Sequence, residues 1–433
     1  MTVAQLSKRF PFLLKWGKLV GVTGGAQILI QGLGFLVGIY IIRVLSQEQY
    51  AYYTLANTML GTMTVLADGG ISTGVMAEGG KRWQDPNALG KILATGMHMR
   101  RQFALGSLVV SVPILFYLLN DQGLLWWESG LLILCLIPAF LAALSGSLLQ
   151  IVPRLHQNIN ELLRINVQLN VVRLLLTLPV LFFFPLASLA ILASGVGQWV
   201  NNFQLRKLSL KRANWRVAPD EGYRSRIMAK VKKILPGSIY YCVSGQITVW
   251  LIAIFSDTEN IANIGALSRL MMVLTLVKLC IDMLIVPRYA RLPSDKGQVI
   301  ARFFQVLLLV LALSAAIVGT VALFPELFLW VLGAQYADLQ YEVVLMTISS
   351  CLVLVSGIGY MMASSRGIIP NPFLFIAFNI LAQVAILYFL VDYTTLAGVI
   401  MFSIYSTLLN LLYRVVDFLY QTLFKVDWTD SDI

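Results

Sequence analysis

The chain has 433 residues, of which 58% are hydrophobic and only 12% charged, about half the charged share of a soluble domain. Apolar runs of about twenty residues recur from end to end, the length of a bilayer-spanning helix. Membrane strands are excluded, because they would be about ten residues long with alternating polarity. The net charge is +11, yet there are only two histidines and four cysteines, all four cysteines inside apolar runs, which argues against a metal centre or a disulfide framework.

Residues 1–18 place Lys8, Arg9, Lys15 and Lys18 among Phe10, Phe12, Leu13, Leu14 and Trp16, the composition of an amphipathic segment on the cytoplasmic surface. An N-terminal lobe is predicted over 19–205, with spans near 21–44, 50–66, 103–119, 129–152, 162–184 and 186–203. Gly34 and Gly38 allow close helix contact in the first. The second ends in Ala67-Asp68-Gly69-Gly70. A cytoplasmic stretch with Lys81, Arg82, Lys91, Arg100 and Arg101 follows, and Trp126 and Trp127 mark an interface. Residues 206–233 carry ten Lys/Arg against Asp220 and Glu221 and read as a basic cytoplasmic linker, suited to anionic lipid heads. A C-terminal lobe is predicted over 234–420, with spans near 235–255, 261–286, 303–324, 341–363, 373–391 and 396–420, and a cytoplasmic tail over 421–433.

With both termini in the cytoplasm, all Lys/Arg outside the spans are cytoplasmic, and the outer loops hold acids such as Glu48, Asp121, Asp257 and Glu326. That is the positive-inside pattern, and it argues against nucleic acid as the partner of the basic residues. The junction Leu45–Leu60 (LSQEQYAYYTLANTML) faintly echoes Phe255–Met272 (FSDTENIANIGALSRLMM), as repeats about an axis along the membrane normal would.

Six basic residues fall within spans: Arg43, Arg164, Arg173, Arg269, Lys278 and Arg414. A cation there costs about 2.5–3.5 kcal/mol even on the lenient insertion scale, so it needs water, a partner or a ligand. Arg173 shares one helix face with Asn166, Asn170 and Thr177 and has no acid in that stripe, so it is predicted to line a cavity. Lys278 and Asp282 are spaced to pair, whereas Arg269 has no acid three or four residues away. Arg164 beside Glu161, Arg414 beside Asp417, and Arg43 at a span end suit local pairing or snorkelling. Asp68 continues a stripe with Asn57, Gly61 and Thr64; it is a candidate coupling-ion site or a cap for the glycine junction. No HExxH, Walker, GxSxG or paired His/Cys pattern is present, so neither an enzyme nor a cofactor is expected.

Arg43-Val44-Leu45 followed by Ser46-Gln47-Glu48-Gln49-Tyr50 and Tyr53 resembles the "R-x-L-x-x-E-x-Y-G-x-Y" junction of the polysaccharide transporter family, which includes O-antigen and related lipid-linked oligosaccharide flippases. Ala51 stands where that pattern has Gly. Ala67–Gly70, Ile264–Leu270, and Pro325, Gly333 and Tyr336 resemble further segments of the same family. The resemblance implies the multidrug/oligosaccharidyl-lipid/polysaccharide exporter fold: two six-helix lobes, about twelve spans, around a central cavity, working by alternating access. It implies a multi-pass protein of a bacterial inner membrane, acting as a monomer near glycan polymerase machinery. Its substrate would be an anionic lipid-linked glycan, with a proton or sodium ion as coupling cation. Arg173, Arg269, Arg43, Asn170 and Asn57 are the expected headgroup contacts, an Arg fork suiting diphosphate. The alternatives are a multidrug/cation antiporter of the same superfamily, a major-facilitator transporter (whose loop after span two is missing), and a membrane glycosyltransferase or polymerase.

Overall fold

The computed structural model describes residues 3–425 apart from 216 and 294, with side chains from residue 24 onward apart from those of 216, 283 and 294. The side chains of the basic N-terminal segment and most of the acidic tail thus lie outside the described residues. Among the described residues every regular element is a helix. The chain divides into two compact units, Met1–Leu45 with Ala56–Cys242, and Ser46–Leu55 with Val243–Ile433.

The first unit is built from α1 (Val3–Val44), most of α2 (Gln47–Asp68), α3 (Ile71–Lys81), α4 (Pro86–Asp121), α5 (Trp126–Leu149), α6 (Ile151–Leu155), α7 (Ile159–Phe183), α8 (Ala187–Leu210) and the first part of α9 (Glu221–Phe255). The turn between α2 and α3 uses Gly69 and Gly70 at φ 48° and 91°, a backbone region open to glycine. A Cβ on Gly70 would also sit 2.9 Å from Ile234 Cγ2. α4 starts where Asp85 accepts from the Asn87 and Ala88 amides, with Pro86 in its first turn, a standard N-terminal cap. α5 and α8 approach closely through small residues: a Cβ on Gly195 would lie 3.0 Å from Ala139 Cα. Asn202 crosses the same contact, donating to the Ala142 carbonyl at 2.6 Å and to Ser145 Oγ at 2.8 Å.

The second unit contains the start of α2, the end of α9, α10 (Thr258–Met271), α11 (Leu274–Leu284), α12 (Val286–Ala290), α13 (Lys296–Leu323), α14 (Pro325–Leu332), a 3-10 turn at Ala334–Tyr336, α15 (Gln340–Ser365), α16 (Pro372–Phe389) and α17 (Leu396–Phe424). Its core joins Phe303, Leu307, Val355, Ile358, Met362 and Phe418, with the Phe303 and Phe418 rings stacked. The echoed junctions pack against each other here. Gln47 Nε2 donates to Asn263 Oδ1 at 3.1 Å, and Gly265 lies so close to Thr54 that a Cβ would be 2.4 Å from its hydroxyl.

Among the described residues ten helical stretches are long and apolar enough to cross a membrane, and side chains such as Val109, Phe182, Leu308, Phe373 and Tyr388 are exposed, as lipid-facing side chains are. α2 and α8 have 22 and 24 residues but carry polar stripes that lower their hydropathy: Thr54, Thr58, Thr62 and Asp68 in one, Gln198, Asn201 and Asn202 in the other. Thr54 and Thr62 donate to carbonyls one turn back, which satisfies them without water. With α10–α12 as one crossing, the fold has twelve transmembrane helices in two lobes, as the sequence predicts.

Three local differences from the sequence reading have physical reasons. The segment 206–233 is mostly helix, since α8 runs to Leu210 and α9 begins at Glu221. Ile227 and Val231, one turn apart, bury against Ile71, Val75 and Leu89, a stripe that the surrounding charges mask. The stretch after α2 is likewise helical, as α3 and the first half of α4. Span eight breaks at Met272–Val273, where the amides of Met272, Val273, Thr275 and Leu276 each bond three residues back, the tighter 3-10 pattern.

Gly90 fixes the segment between α8 and α9 to the first unit, because a Cβ there would meet the Asn214 carbonyl oxygen at 2.0 Å. Gly90→Ala is expected to lower stability by about 1–3 kcal/mol and to speed proteolysis within 211–220, read by thermal unfolding and limited digestion.

Candidate functional site

The glycine turn after α2 folds the chain back so that Ser72 donates to Asp68 Oδ1 through both its amide, at 3.1 Å, and its hydroxyl, at 2.7 Å. Arg100 of α4 completes the cluster. Its side chain is 2% exposed and pairs with Asp68, and it also donates to Ser72 Oγ, Ser147 Oγ and the Leu144 carbonyl. Three elements, α2, α3 and α5, converge on the guanidinium that α4 carries. Asp68, the candidate coupling-ion residue, thus takes the Ser72 amide, the Ser72 hydroxyl and Arg100 all on Oδ1.

Arg173, on α7, is half-buried and donates from Nε to Ser194 Oγ of α8 at 3.1 Å. The helices meet closely at this level, because Gly197 leaves its own Cβ space 3.5 Å from Arg173 Cα. Asn170 donates to the Asn166 carbonyl at 3.0 Å, and Thr177 Oγ1 is buried with no hydrogen-bond partner. Among the described residues no carboxylate lies within ion-pair distance of Arg173. Asn57 is half-buried on α2, and Arg43 is exposed in the last turn of α1, where the helix dipole favours a cation.

Arg269 lies on α10 in the second unit, three residues before the break in span eight. Its neighbours are the phenols of Tyr50 and Tyr53 from the start of α2, whose rings stack 5.9 Å apart and are 1% and 2% exposed. Tyr336 adds a third buried phenol near Tyr50. Among the described residues no acid pairs with Arg269, and its neighbours are neutral phenols, of which the Tyr53 hydroxyl makes no hydrogen bond. Lys278 and Asp282 form their predicted ion pair. Arg414 lies over the rings of Tyr360 and Phe375, 4.7 and 5.2 Å from their centroids.

The structure therefore brings Asn170 and Arg173 onto one face of α7 and places Arg269 in the other unit. The sequence reading missed Arg100, taken for a loop residue beside Arg101, though an Asp at the end of a span asks for a cation. It also missed the role of Tyr50 and Tyr53, and Glu78. Glu78, in α3 outside the spans, is buried and takes Lys81 and Lys230 at 3.0 Å each, with Arg226 at 3.6 Å. Lys230 holds the Glu78 carboxyl below the usual carboxylate range; burial opposes this and Lys81 adds to it.

No family model matches the chain, and no curated protein matches it by sequence. Among solved structures, the chain is similar to an inward-facing multidrug resistance MATE family transporter of the MOP superfamily, at 12% identity and a TM-score of 0.71 over 92% of this chain and 96% of that one. An outward-facing MATE transporter is similar at 15% identity, TM-score 0.63, over 93% and 94%. A eukaryotic MATE transporter is similar at 15% identity, TM-score 0.59, over 96% and 97%. The chain has their fold.

Arg100→Ala leaves Asp68 uncompensated and is expected to destabilise the protein by about 3–5 kcal/mol, read by thermal unfolding in detergent. Glu78 titrates lower in the folded state than in the unfolded one. Its contribution is complete above the ordinary carboxylate range and is lost as pH falls through the depressed folded value. Glu78→Gln should therefore flatten the acid limb of the stability profile and leave its shape unchanged above about pH 6.

Proposed function

We propose that the protein is a membrane transporter working by alternating access. The observation that carries this is fold similarity, over nearly the whole chain, to transporters solved facing inward and facing outward. On substrate, the comparisons favour the multidrug reading, since the similar structures are multidrug resistance proteins by name. In that reading the protein exports cationic drugs against a proton or sodium gradient, with Asp68 as the coupling site once Arg100 releases it.

A second reading rests on a specific arrangement. The carboxylates of Asp68 and Asp282 are engaged by Arg100 and Lys278, whereas Arg173 and Arg269 meet neutral partners. A cation-binding cavity calls for the reverse. Unneutralised guanidinia suit a diphosphate, which they grip bidentately, and so favour a flippase for polyprenyl-diphosphate-linked oligosaccharide. Arg173 and Arg269 are then the headgroup contacts, with Arg43, Asn170 and Asn57 as supporting ones. Placement in a bacterial inner membrane with both termini cytoplasmic, and action as a monomer beside glycan polymerase machinery, belong to this reading.

One reconstitution separates the two. Proteoliposomes carrying an imposed proton or sodium gradient are assayed for efflux of a fluorescent cationic drug and for movement of a labelled polyprenyl-diphosphate glycan. Gradient-driven drug efflux alone supports the first reading. Glycan movement that falls about 10-fold or more in Arg173→Ala and Arg269→Ala, the loss of a charge-assisted contact, supports the second. Correctly inserted protein that moves neither would sink the transporter proposal itself.

A further inference from the structure

A cleft of about 370 Å³ opens between α1 and α7 in the first unit, away from the residues assigned above. It is lined by Ala26, Asn160, Leu163, Arg164, Val167 and Gln168. Asn160, Arg164 and Gln168 are spaced by four, so two amides flank one guanidinium along a single face of α7. Leu163, Val167 and Ala26 make the rest of the wall apolar. The Arg164 side chain is exposed, and among the described residues no carboxylate lies within ion-pair distance of it. Glu161 is one turn away but is exposed and is not part of the lining.

The depth of this cleft follows from α7 itself. Phe182, Phe183 and Phe184, at the far end, are 76%, 70% and 62% exposed, and α7 stops at Phe183, as a spanning helix does on reaching a membrane–water interface. Nineteen residues separate Arg164 from Phe183, about 28 Å at 1.5 Å per residue. The hydrocarbon core is about 30 Å thick. With the end of α7 at one interface, Arg164 therefore sits near the phosphate level of the other. The amides of the first turn of this 25-residue helix point the same way, and their dipole favours an anion.

We propose that this cleft holds the phosphate of an anionic phospholipid of the surrounding bilayer. Arg164 grips the phosphate oxygens as a fork, and Asn160 and Gln168 donate to phosphate and ester oxygens. One acyl chain runs along Leu163, Val167 and Ala26. The site differs from any contact made by the basic segment 206–233, and it stands whichever substrate reading holds, because it concerns a resident lipid rather than a transported one.

The full-length protein is placed in nanodiscs of phosphatidylcholine with increasing phosphatidylglycerol, and retained lipid is counted by native mass spectrometry after release. The wild type is expected to keep one phosphatidylglycerol. Arg164→Gln should need about fivefold more to reach the same occupancy, the worth of one arginine at an anionic surface. Arg164→Lys should fall between them, since an ammonium lacks the fork. Inorganic phosphate added to phosphatidylcholine nanodiscs tests the other source of the same chemistry. Retention unchanged in Arg164→Gln, or saturation of the cleft by inorganic phosphate alone, overturns the proposal. If Arg164→Gln folds poorly, Ala26→Phe fills the cleft from α1 and should give the same loss, and full retention in that variant overturns it equally.

Discussion

A guanidinium that is 2% exposed inside a helical lobe needs partners for its N–H groups, and the first unit supplies them to both terminal nitrogens of Arg100, leaving only Nε without one. Its desolvation is offset by one carboxylate, two hydroxyls and a backbone carbonyl, contributed by α2, α3 and α5. Each supplier depends on a local feature of sequence. Gly69 and Gly70 permit the reversal that brings Ser72 over Asp68. Arg100 reaches them because Asp85 and Pro86 fix where α4 begins. Replacing such a pair with apolar residues is often harmless, whereas removing one partner is not. The cluster is therefore a constraint on how these helices meet more than a source of net stability.

The same electrostatic logic sorts the other intramembrane charges. Lys278 has Asp282 one turn away, and Arg414 has two aromatic faces, so both are compensated locally. Among the described residues Arg173 has the Ser194 hydroxyl and Arg269 has neutral phenols beside it, and neither has a carboxylate. A hydroxyl or phenol lowers the desolvation penalty of a guanidinium without cancelling its charge. These two sites keep a positive potential, which is the physical basis for reading them as points of contact with an anionic group.

Much of the architecture was legible in the sequence because the bilayer makes it so. Span length and the lack of strands follow from the need to satisfy every backbone group within a segment. The stripe on α7 was legible because four-residue spacing survives any tertiary context. Other features were hidden. Arg100 and Arg101 form a basic doublet that reads as a loop, and only the packing of α2 against α4 distinguishes the buried member. Ile227 and Val231 sit in a charged run where their spacing is easy to overlook. The break after Arg269 has neither proline nor glycine to announce it. Arg269's tyrosines lie more than two hundred positions away in sequence, so no local pattern joins them.

The echo between the two junctions takes on meaning in this light. Ser46–Leu55 belongs to the second unit although the rest of α2 belongs to the first, and α9 divides in the same way at Cys242–Val243. The swapped segment is held by Gln47 on Asn263, by Thr54 against Gly265, and by Tyr50 and Tyr53 beside Arg269. It thus pairs with the very stretch of the second half that it resembles, as repeat-derived segments related by symmetry would. The result is a continuous helix whose two ends are committed to different units. Where that helix changes allegiance, Thr54 and Thr62 back-bond to carbonyls one turn earlier, an interaction that eases bending. α9 carries Pro236 within its own length, another established origin of helix bending. The chain thus passes from one unit to the other within α2 and within α9, as it also does at Leu45–Ser46, and each of the two helices has a chemical feature that eases bending.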